Sequence, residues 1–267
     1  MTGIAIESLP GWRHLDLPTA GSTNAEAMAL AAAGDPGNLW VTAGEQTAGR
    51  GRRGRDWSSP PGNLYASVLL IDPAPVTRLG AMPLVAAVAV REAIASCGLP
   101  SETRLAIKWP NDILLNGGKC CGMLLESQNL PDGRLAVVIG CGINIVSYPD
   151  PGIYRATALN REGISATPSI LFAHLARAFD RALALWDGGR GVPAIRDQWL
   201  LHAQGIGETI AVNLANSRIE GLFEGIDADG VLLLRTGEGT VRPISAGDLF
   251  FDNSTQGASG ASAQQQE

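Results

Sequence analysis

The chain has 267 residues, 45% apolar and 17% charged, with a formal net charge of −6 and a sequence pI near 5.1. This composition is globular, not disordered, and the length suits one large domain or a main domain with a small partner. The acidic balance argues against a general nucleic-acid coat protein, which spreads basic charge over a face.

The opening MTGIAIESLPGW has neither a basic start nor an apolar core segment, so no signal peptide is expected. Ser22-Thr23-Asn24 precedes an Ala-rich run ended by Gly34, which predicts a helix with an N-cap and a glycine stop. Residues 40–43 predict a strand that feeds QTAGRGRRGRDW, from Gln46 to Trp57. That loop packs Arg50, Arg52, Arg53 and Arg55 among Gly49, Gly51 and Gly54. Its glycines let backbone N–H groups turn toward an anion, and its arginines add fixed, always-charged forks. Four adjacent cations repel one another, so the segment is expected to be mobile until an anion neutralises it and then to close on that ligand. The spacing fits neither a P-loop nor a Rossmann fingerprint. On its own the loop also reads as a solvated basic segment or an RNA-binding patch.

Residues 64–71 predict a buried strand, and 79–97 a helix closed by Gly98. The apolar run 79–90 contains Pro83 and stops at Arg91 and Glu92, too short to span a bilayer. Residues 105–108 and 113–115 read as strands joined to the next by a hairpin turn at Asn116-Gly117-Gly118. Residues 123–127 and 134–139 read as an antiparallel pair around Pro131-Asp132-Gly133, and 140–144 carry that strand into a loop. Residues 168–186 predict an amphipathic helix with Ile170, Leu171, Leu175, Ala178, Leu183 and Trp186 inward, and 192–201 one more helix. After about residue 203 short strands at 209–213, 217–226, 231–235 and 240–243 suggest a small five-stranded barrel. The tail 253–267 is low-complexity and expected to be disordered. The organisation expected is therefore a catalytic domain over 1–203, a barrel over 204–252 and a tail. Cys97, Cys120, Cys121 and Cys141 show no metal or redox spacing and read as small hydrophobes in a reducing, cytoplasmic compartment.

Lys108-Trp109-Pro110-Asn111-Asp112 puts a cation, an amide and a carboxylate at one strand junction. Asp112 suits Mg2+ carried by a triphosphate and is able to accept a proton, while Lys108 suits a phosphate. The turn at 116–118 is expected to return Lys119 beside Asp112. Seen singly, such a Lys and Asp read as a surface ion pair of little worth.

Taken in order, Ser-Thr-Asn, Gln46 before G-R-G-R-x-G-R-x-W, K-W-P-N-D, K-x-x-G and G-x-G-I-N resemble the biotin protein ligases from about Ser22 to Asn144, and more loosely in the C-terminal barrel. The related lipoate ligases share the fold but not the arginine loop. The resemblance implies an α+β fold with a mixed or antiparallel sheet and helices, of the class II aminoacyl-tRNA synthetase and biotin ligase type, plus a C-terminal SH3-like barrel. It implies that biotin and ATP, with Mg2+, give biotinyl-5′-AMP, which then passes to a lysine of a biotin carboxyl carrier domain of acetyl-CoA carboxylase or a related carboxylase. Lys119, Arg52, Lys108 and Asp112 correspond to the catalytic groups, with Asp112 toward the metal. Ser22, Thr23, Asn24, Gln46, Gly49, Arg50, Gly51, Arg52, Lys119 and Gly122 correspond to the biotin site. Arg52, Arg55, Trp57, Lys108, Asn111 and Asn144 correspond to the ATP site. No helix-turn-helix is read before Trp12, so no DNA partner is expected, and no membrane. A homodimer paired through sheet edges is compatible with the resemblance. His14, His174 and His202 match no part of the motifs. A lipoate or octanoate ligase, or a nucleic-acid-binding protein acting through the arginine loop, are the alternatives.

Overall fold

A strand without a clear sequence signal opens the fold. β1 (Arg13–Ala20) carries charges and a proline, and most of it is exposed. Such a segment fits only an edge, where Pro18 loses no ladder bond and charge discourages further pairing. It runs parallel to β2 (Leu39–Gln46), with Leu15 opposite Val41, and the crossover between them is α1 (Thr23–Ala32). The structure is a computed structural model that describes residues 9–149, 155–214, 216–237 and 239–251. The tail expected to be disordered lies outside the described residues.

The remaining strands of the main sheet are β3 (Leu64–Ile71), β4 (Leu105–Lys108), β5 (Asp112–Leu115), β6 (Gly118–Asn129) and β7 (Leu135–Ile143). The sheet order is β1-β2-β3-β7-β6-β5-β4, and every pair after β1–β2 is antiparallel. The mixed sheet expected is therefore present. Asn116 (φ 49°) and Gly117 (φ 78°) make the tight β5–β6 turn, a backbone that Asn and Gly adopt at low cost.

Strand alternation sends neighbouring residues to opposite faces. Leu39, Val41, Leu69, Ala136 and Val138 pack against Ala27 and Ala31 of α1. Trp40 points the other way and meets Phe172 and Phe179 of α3 (Pro168–Trp186), ring centroids 5.7 and 5.4 Å away. α2 (Met82–Ala95) and α4 (Val192–Leu201) pack with α3. Two details differ from the sequence expectation. Residues 76–81 form a 3-10 turn and the α-helix starts only beside Pro83, whose missing N–H is harmless in a first turn. On α3, Ile170 is half-exposed, while Phe172, Phe179 and Ala182 join Leu171, Leu175, Ala178 and Trp186 inside. The demand for aromatic bulk around Trp40 shifts the buried stripe away from Ile170.

By chain contacts the residues through Gln204, with Ala228–Gly230, form one compact unit; Gly205–Asp227 and the residues from Val231 form a second. The second holds β8 (Thr209–Asn213), β9 (Arg218–Ile226), β10 (Leu232–Arg235), β11 (Val241–Ile244) and β12 (Asp248–Phe251), all antiparallel in the order β11-β10-β9-β8-β12. The fifth strand, DLFF, is too short to stand out in the sequence. The buried side chains of this second unit include Ile210, Val212, Phe223, Ile226, Leu232, Leu234, Ile244 and Leu249. No helix among the described residues is long and apolar enough to cross a membrane.

Candidate active site

The strand register lines up a row of residues across the sheet. Lys108 pairs with Asp112, Asp112 with Gly122, Gly122 with Gly142, and Gly142 with Tyr65. Directly paired residues share a face. A second row two residues along comprises Leu124, Gly140 and Ser67, and continues to Val41, so both rows lie on the face that α1 covers. His14 pairs with Trp40 and stacks 4.4 Å from Phe172, on the other face.

Three glycines leave room on this face for side chains from other segments. A Cβ on Gly142 would lie 2.2 Å from Trp57 Nε1, one on Gly122 3.0 Å from Trp57 Cζ3, and one on Gly140 2.1 Å from Asn24 Oδ1. The indole of Trp57 therefore rests on the Gly122–Gly142 pair, a floor that only hydrogen side chains permit. Trp57 Nε1 is buried and has no hydrogen-bond partner among the described residues.

Lys119 reaches the same place through an irregularity. In a regular strand a residue three positions from Gly122 would face away from it. A bulge shifts the β5–β6 register, so that Leu114 pairs with Lys119 but Ile113 with Cys121, and this extra residue turns Lys119 onto the row. Its Nζ lies 2.7 Å from Asp112 Oδ1, an ion pair short of the geometry of a directed hydrogen bond, and 5.5 Å from the centre of the Trp57 ring. Both partners are mostly enclosed, at 22% and 12% side-chain exposure.

The backbone of Lys119 is gripped from outside the sheet. Its N–H donates to Arg155 O (2.8 Å) and its carbonyl accepts from Thr157 N (3.0 Å). Glu162 anchors that segment, accepting Thr157 Oγ1 at 2.6 Å and Asn116 Nδ2 at 2.7 Å. The Thr157 hydrogen bond is the main cause that holds the Glu162 carboxyl below the usual range, against the opposing effect of burial. A depressed carboxyl pKa stabilises the fold above the unfolded value of about 4.3 and loses that contribution as pH falls through the folded value. Glu162→Gln is therefore expected to flatten the loss of melting temperature between about pH 5 and about pH 3. Parallel acid limbs for variant and parent in thermal melts would contradict this.

The arginine segment is a folded hairpin, not an irregular coil. Arg50 and Asp56 form an antiparallel bridge, Gly51 N donates to Arg55 O (2.7 Å) and Trp57 N to Gly49 O (2.9 Å). The turn at the tip spans Arg52–Gly54, with Arg53 at φ 58°. Arg52 and Arg50 tie the hairpin to the residues of the main sheet and its connections. Arg52 donates to Asn111 Oδ1 at 3.0 Å, and Asn111 Nδ2 in turn donates to Met123 O. Arg50 donates to Glu126 Oε1 at 3.3 Å.

Gln46 ties this hairpin to the start of α1. Its Oε1 accepts from Thr23 N (2.9 Å) and Thr23 Oγ1 (3.2 Å), and its Nε2 donates to Ser59 Oγ (2.9 Å). Ser67, fully buried, places its hydroxyl 2.7 Å from Thr23 Oγ1 and 2.6 Å from Asn24 Oδ1. Asn24 Nδ2 donates to Leu124 O and to Glu126 Oε2 at 3.2 and 2.8 Å. Ser22 takes the N-cap position, but its side chain makes no capping bond.

The structure thus gathers Ser22, Thr23, Asn24, Gln46, Gly49, Arg50, Arg52, Trp57, Asn111, Asp112, Lys119 and Gly122 around one face. Lys108 is buried in the same row, opposite Asp112. Gly51 and Arg55 close the hairpin through their backbones. Asn144 is 2% exposed; its N–H donates to Cys120 O at 2.8 Å and its Nδ2 to Thr157 O at 3.1 Å, beside the segment that grips Lys119. Ser59, Ser67 and Glu126 belong to the network yet carry no motif spacing; the one hint is the charge of Glu126 closing the apolar run Met123–Leu125. Among the described residues no group of three His, Cys, Asp or Glu side chains gathers for a metal. Mg2+ bound to a nucleotide needs only one or two protein carboxylates beside the phosphates, and Asp112 is the one this row offers. Cys120, Cys121 and Cys141 are buried free thiols, and burial pushes Cys120 and Cys141 up to about 12, so they stay protonated.

The family model of the Biotin/lipoate A/B protein ligase family matches residues 24–144, and that of the Biotin protein ligase C terminal domain matches residues 205–252. The biotin–[acetyl-CoA-carboxylase] ligase of Paracoccus denitrificans is 41% identical over 86% of this chain and 97% of its own length. The chain belongs to the biotin protein ligase family. Among solved structures, the biotin protein ligase of Aquifex aeolicus in complex with biotin and ATP superposes with a TM-score of 0.75, at 26% identity, over 90% of this chain and 98% of its own. The biotin protein ligase of Leishmania major in complex with biotinyl-5-AMP gives 0.59 at 27% identity, over 89% of this chain and 100% of its own. The α+β fold and the C-terminal β domain expected of a biotin protein ligase are both present.

Proposed function

We propose that this biotin protein ligase joins biotin to AMP and hands the biotinyl group to one lysine of a biotin carboxyl carrier domain, with acetyl-CoA carboxylase as the source of that carrier. In the first step a biotin carboxylate oxygen attacks the α-phosphorus of ATP, and the bond to pyrophosphate breaks. In the second an amine nitrogen attacks the acyl carbon, AMP leaves, and the amine loses a proton. The observation that carries the reading is the Lys119–Asp112 pair at the edge of the glycine floor under Trp57.

Two unit negative charges 4 Å apart repel by about 4 kcal/mol at an effective dielectric near 20. Cations fixed in place beforehand offset that repulsion as the new bond forms. Lys119, Lys108 and Arg52 have this role in the reading, Arg52 being held ready by Asn111. Trp57, seated on the glycine floor, forms in this reading an apolar wall for the uncharged part of biotin, with Thr23 and Gln46 at its polar end. Trp57 covers the floor and keeps water from the mixed anhydride. Asp112, already beside an ammonium, is suited to orient the incoming carrier amine and to share Mg2+ with the phosphates. The same reading has a cytoplasmic enzyme, supported by its free thiols, with no DNA or membrane partner and with a homodimer as a compatible assembly.

The test is mass-detected transfer. The chain is incubated with ATP, Mg2+ and either biotin or lipoate, then with a purified carrier domain. Biotin is expected to form an adenylate and to appear on one carrier lysine, and lipoate is not. Absence of both biotinyl-AMP and pyrophosphate would overturn the reading, and preferential lipoate transfer would move it to the sister class.

A further inference from the structure

We propose that Glu126 is a positioning residue that locks Asn24 to Arg50 and so holds the arginine hairpin, with Trp57 at its end, against the glycine floor. The proposal rests on reading Trp57, seated on that floor, as a wall of the biotin site. Glu126 lies two residues beyond Leu124 and four beyond Gly122 on β6, so its side chain leaves the strand on the floor's face. Its two carboxylate oxygens have separate duties: Oε2 accepts Asn24 Nδ2 at 2.8 Å and Oε1 accepts Arg50 at 3.3 Å.

The direction of the Asn24 amide is not free. The Ser67 hydroxyl lies 2.6 Å from Asn24 Oδ1, which leaves the two amide hydrogens for Leu124 O and Glu126. One anchor of the latch is thus buried and fully engaged, Asn24 being 5% exposed. The other is at the surface: Arg50 and Glu126 side chains are 52% and 33% exposed and line an open cavity of about 470 Å3 beside α1. An exposed pair of this kind is weak and easily opened, which suits a hairpin that has to release its product. Arg50 bridges Asp56, the neighbour of Trp57, so a pull on Arg50 is transmitted to the indole.

Glu126→Gln keeps an oxygen for Asn24 and removes the charge that attracts Arg50. The experiment compares the parent with Glu126→Gln, Arg50→Gln and the double variant, after thermal melts have shown each to be folded. Trypsin cleavage at Arg52, Arg53 and Arg55 in the unliganded chain is expected to quicken about threefold in each single variant and no further in the double. Retention of biotinyl-AMP after removal of free ligands is expected to shorten about threefold in Glu126→Gln, a larger effect than on the rate of pyrophosphate release. Unchanged cleavage and retention in Glu126→Gln, or strictly additive effects in the double variant, would overturn the latch. Should Glu126→Gln fail to fold, unchanged cleavage at Arg53 and Arg55 in Arg50→Gln overturns it equally. A parent chain that makes no biotinyl-AMP would overturn the functional reading instead, and the protease comparison would still decide the latch.

Discussion

Replacing Lys119 with alanine is expected to slow pyrophosphate release by about 10²- to 10³-fold, the loss typical when one fixed charge donor is removed from a reacting anion. The geometry isolates this effect from mere unfolding. Lys119 Nζ lies 2.7 Å from Asp112 Oδ1, and the Asp112 side chain is only 12% exposed. Lys119→Ala alone therefore strands a carboxylate that water barely reaches, and some stability is lost with it. Lys119→Ala combined with Asp112→Asn removes the stranded charge. Its melting temperature is expected to return toward that of the parent while the rate stays low. A pyrophosphate-release assay with melting curves on the two variants checks both parts. A Lys119→Ala rate close to the parent's would end the assignment.

Gly142→Ala is expected to weaken biotin binding by tenfold or more, measured by calorimetry. The new methyl would lie 2.2 Å from Trp57 Nε1 and 2.5 Å from Cε2, well inside contact distance. Forcing an extra methyl into a packed contact costs about 1–3 kcal/mol, and about 1.4 kcal/mol is a factor of ten in affinity. Elsewhere in a strand the same change would be favourable by roughly 0.5–1 kcal/mol, because glycine loses more freedom on folding. A loss here therefore points to the indole. Shrinking that indole, in Gly142→Ala with Trp57→Phe, is expected to recover part of the affinity. Full biotin affinity in Gly142→Ala alone would show that the floor tolerates a side chain and that Trp57 need not rest on it.

Much of the fold was legible because its signals are local. The bounds of β3, β4, α3, α4 and β8 coincide with runs whose periodicity and flanking Thr, Pro, Gly or Asn residues mark them. β1 was not legible: an edge strand needs no apolar alternation, and its charges and proline read as loop. The site divides in the same way. Contiguous motifs exposed the arginine hairpin and the Lys108–Asp112 segment. Ser67 and Glu126 stayed hidden because their importance comes from partners far along the chain: Ser67 meets Asn24 across 43 residues, and Asn24 meets Glu126 across 102. The return of Lys119 beside Asp112 was legible from the turn at 116–118, but the route it takes was not. The three-residue spacing of Lys119 from Gly122 assigns the two to opposite faces, and only the bulge in the β5–β6 register reunites them.

That single extra residue makes chain length, more than composition, the guarded quantity between the Asn116-Gly117 turn and Gly122. Many exchanges of one side chain for another at 120 and 121 leave the ammonium on its own side of the sheet. Losing or gaining one position there inverts it, carrying a chemically intact lysine to where no substrate arrives. Indels in this short span, which spare every recognisable functional residue, would be as damaging as deleting the lysine itself.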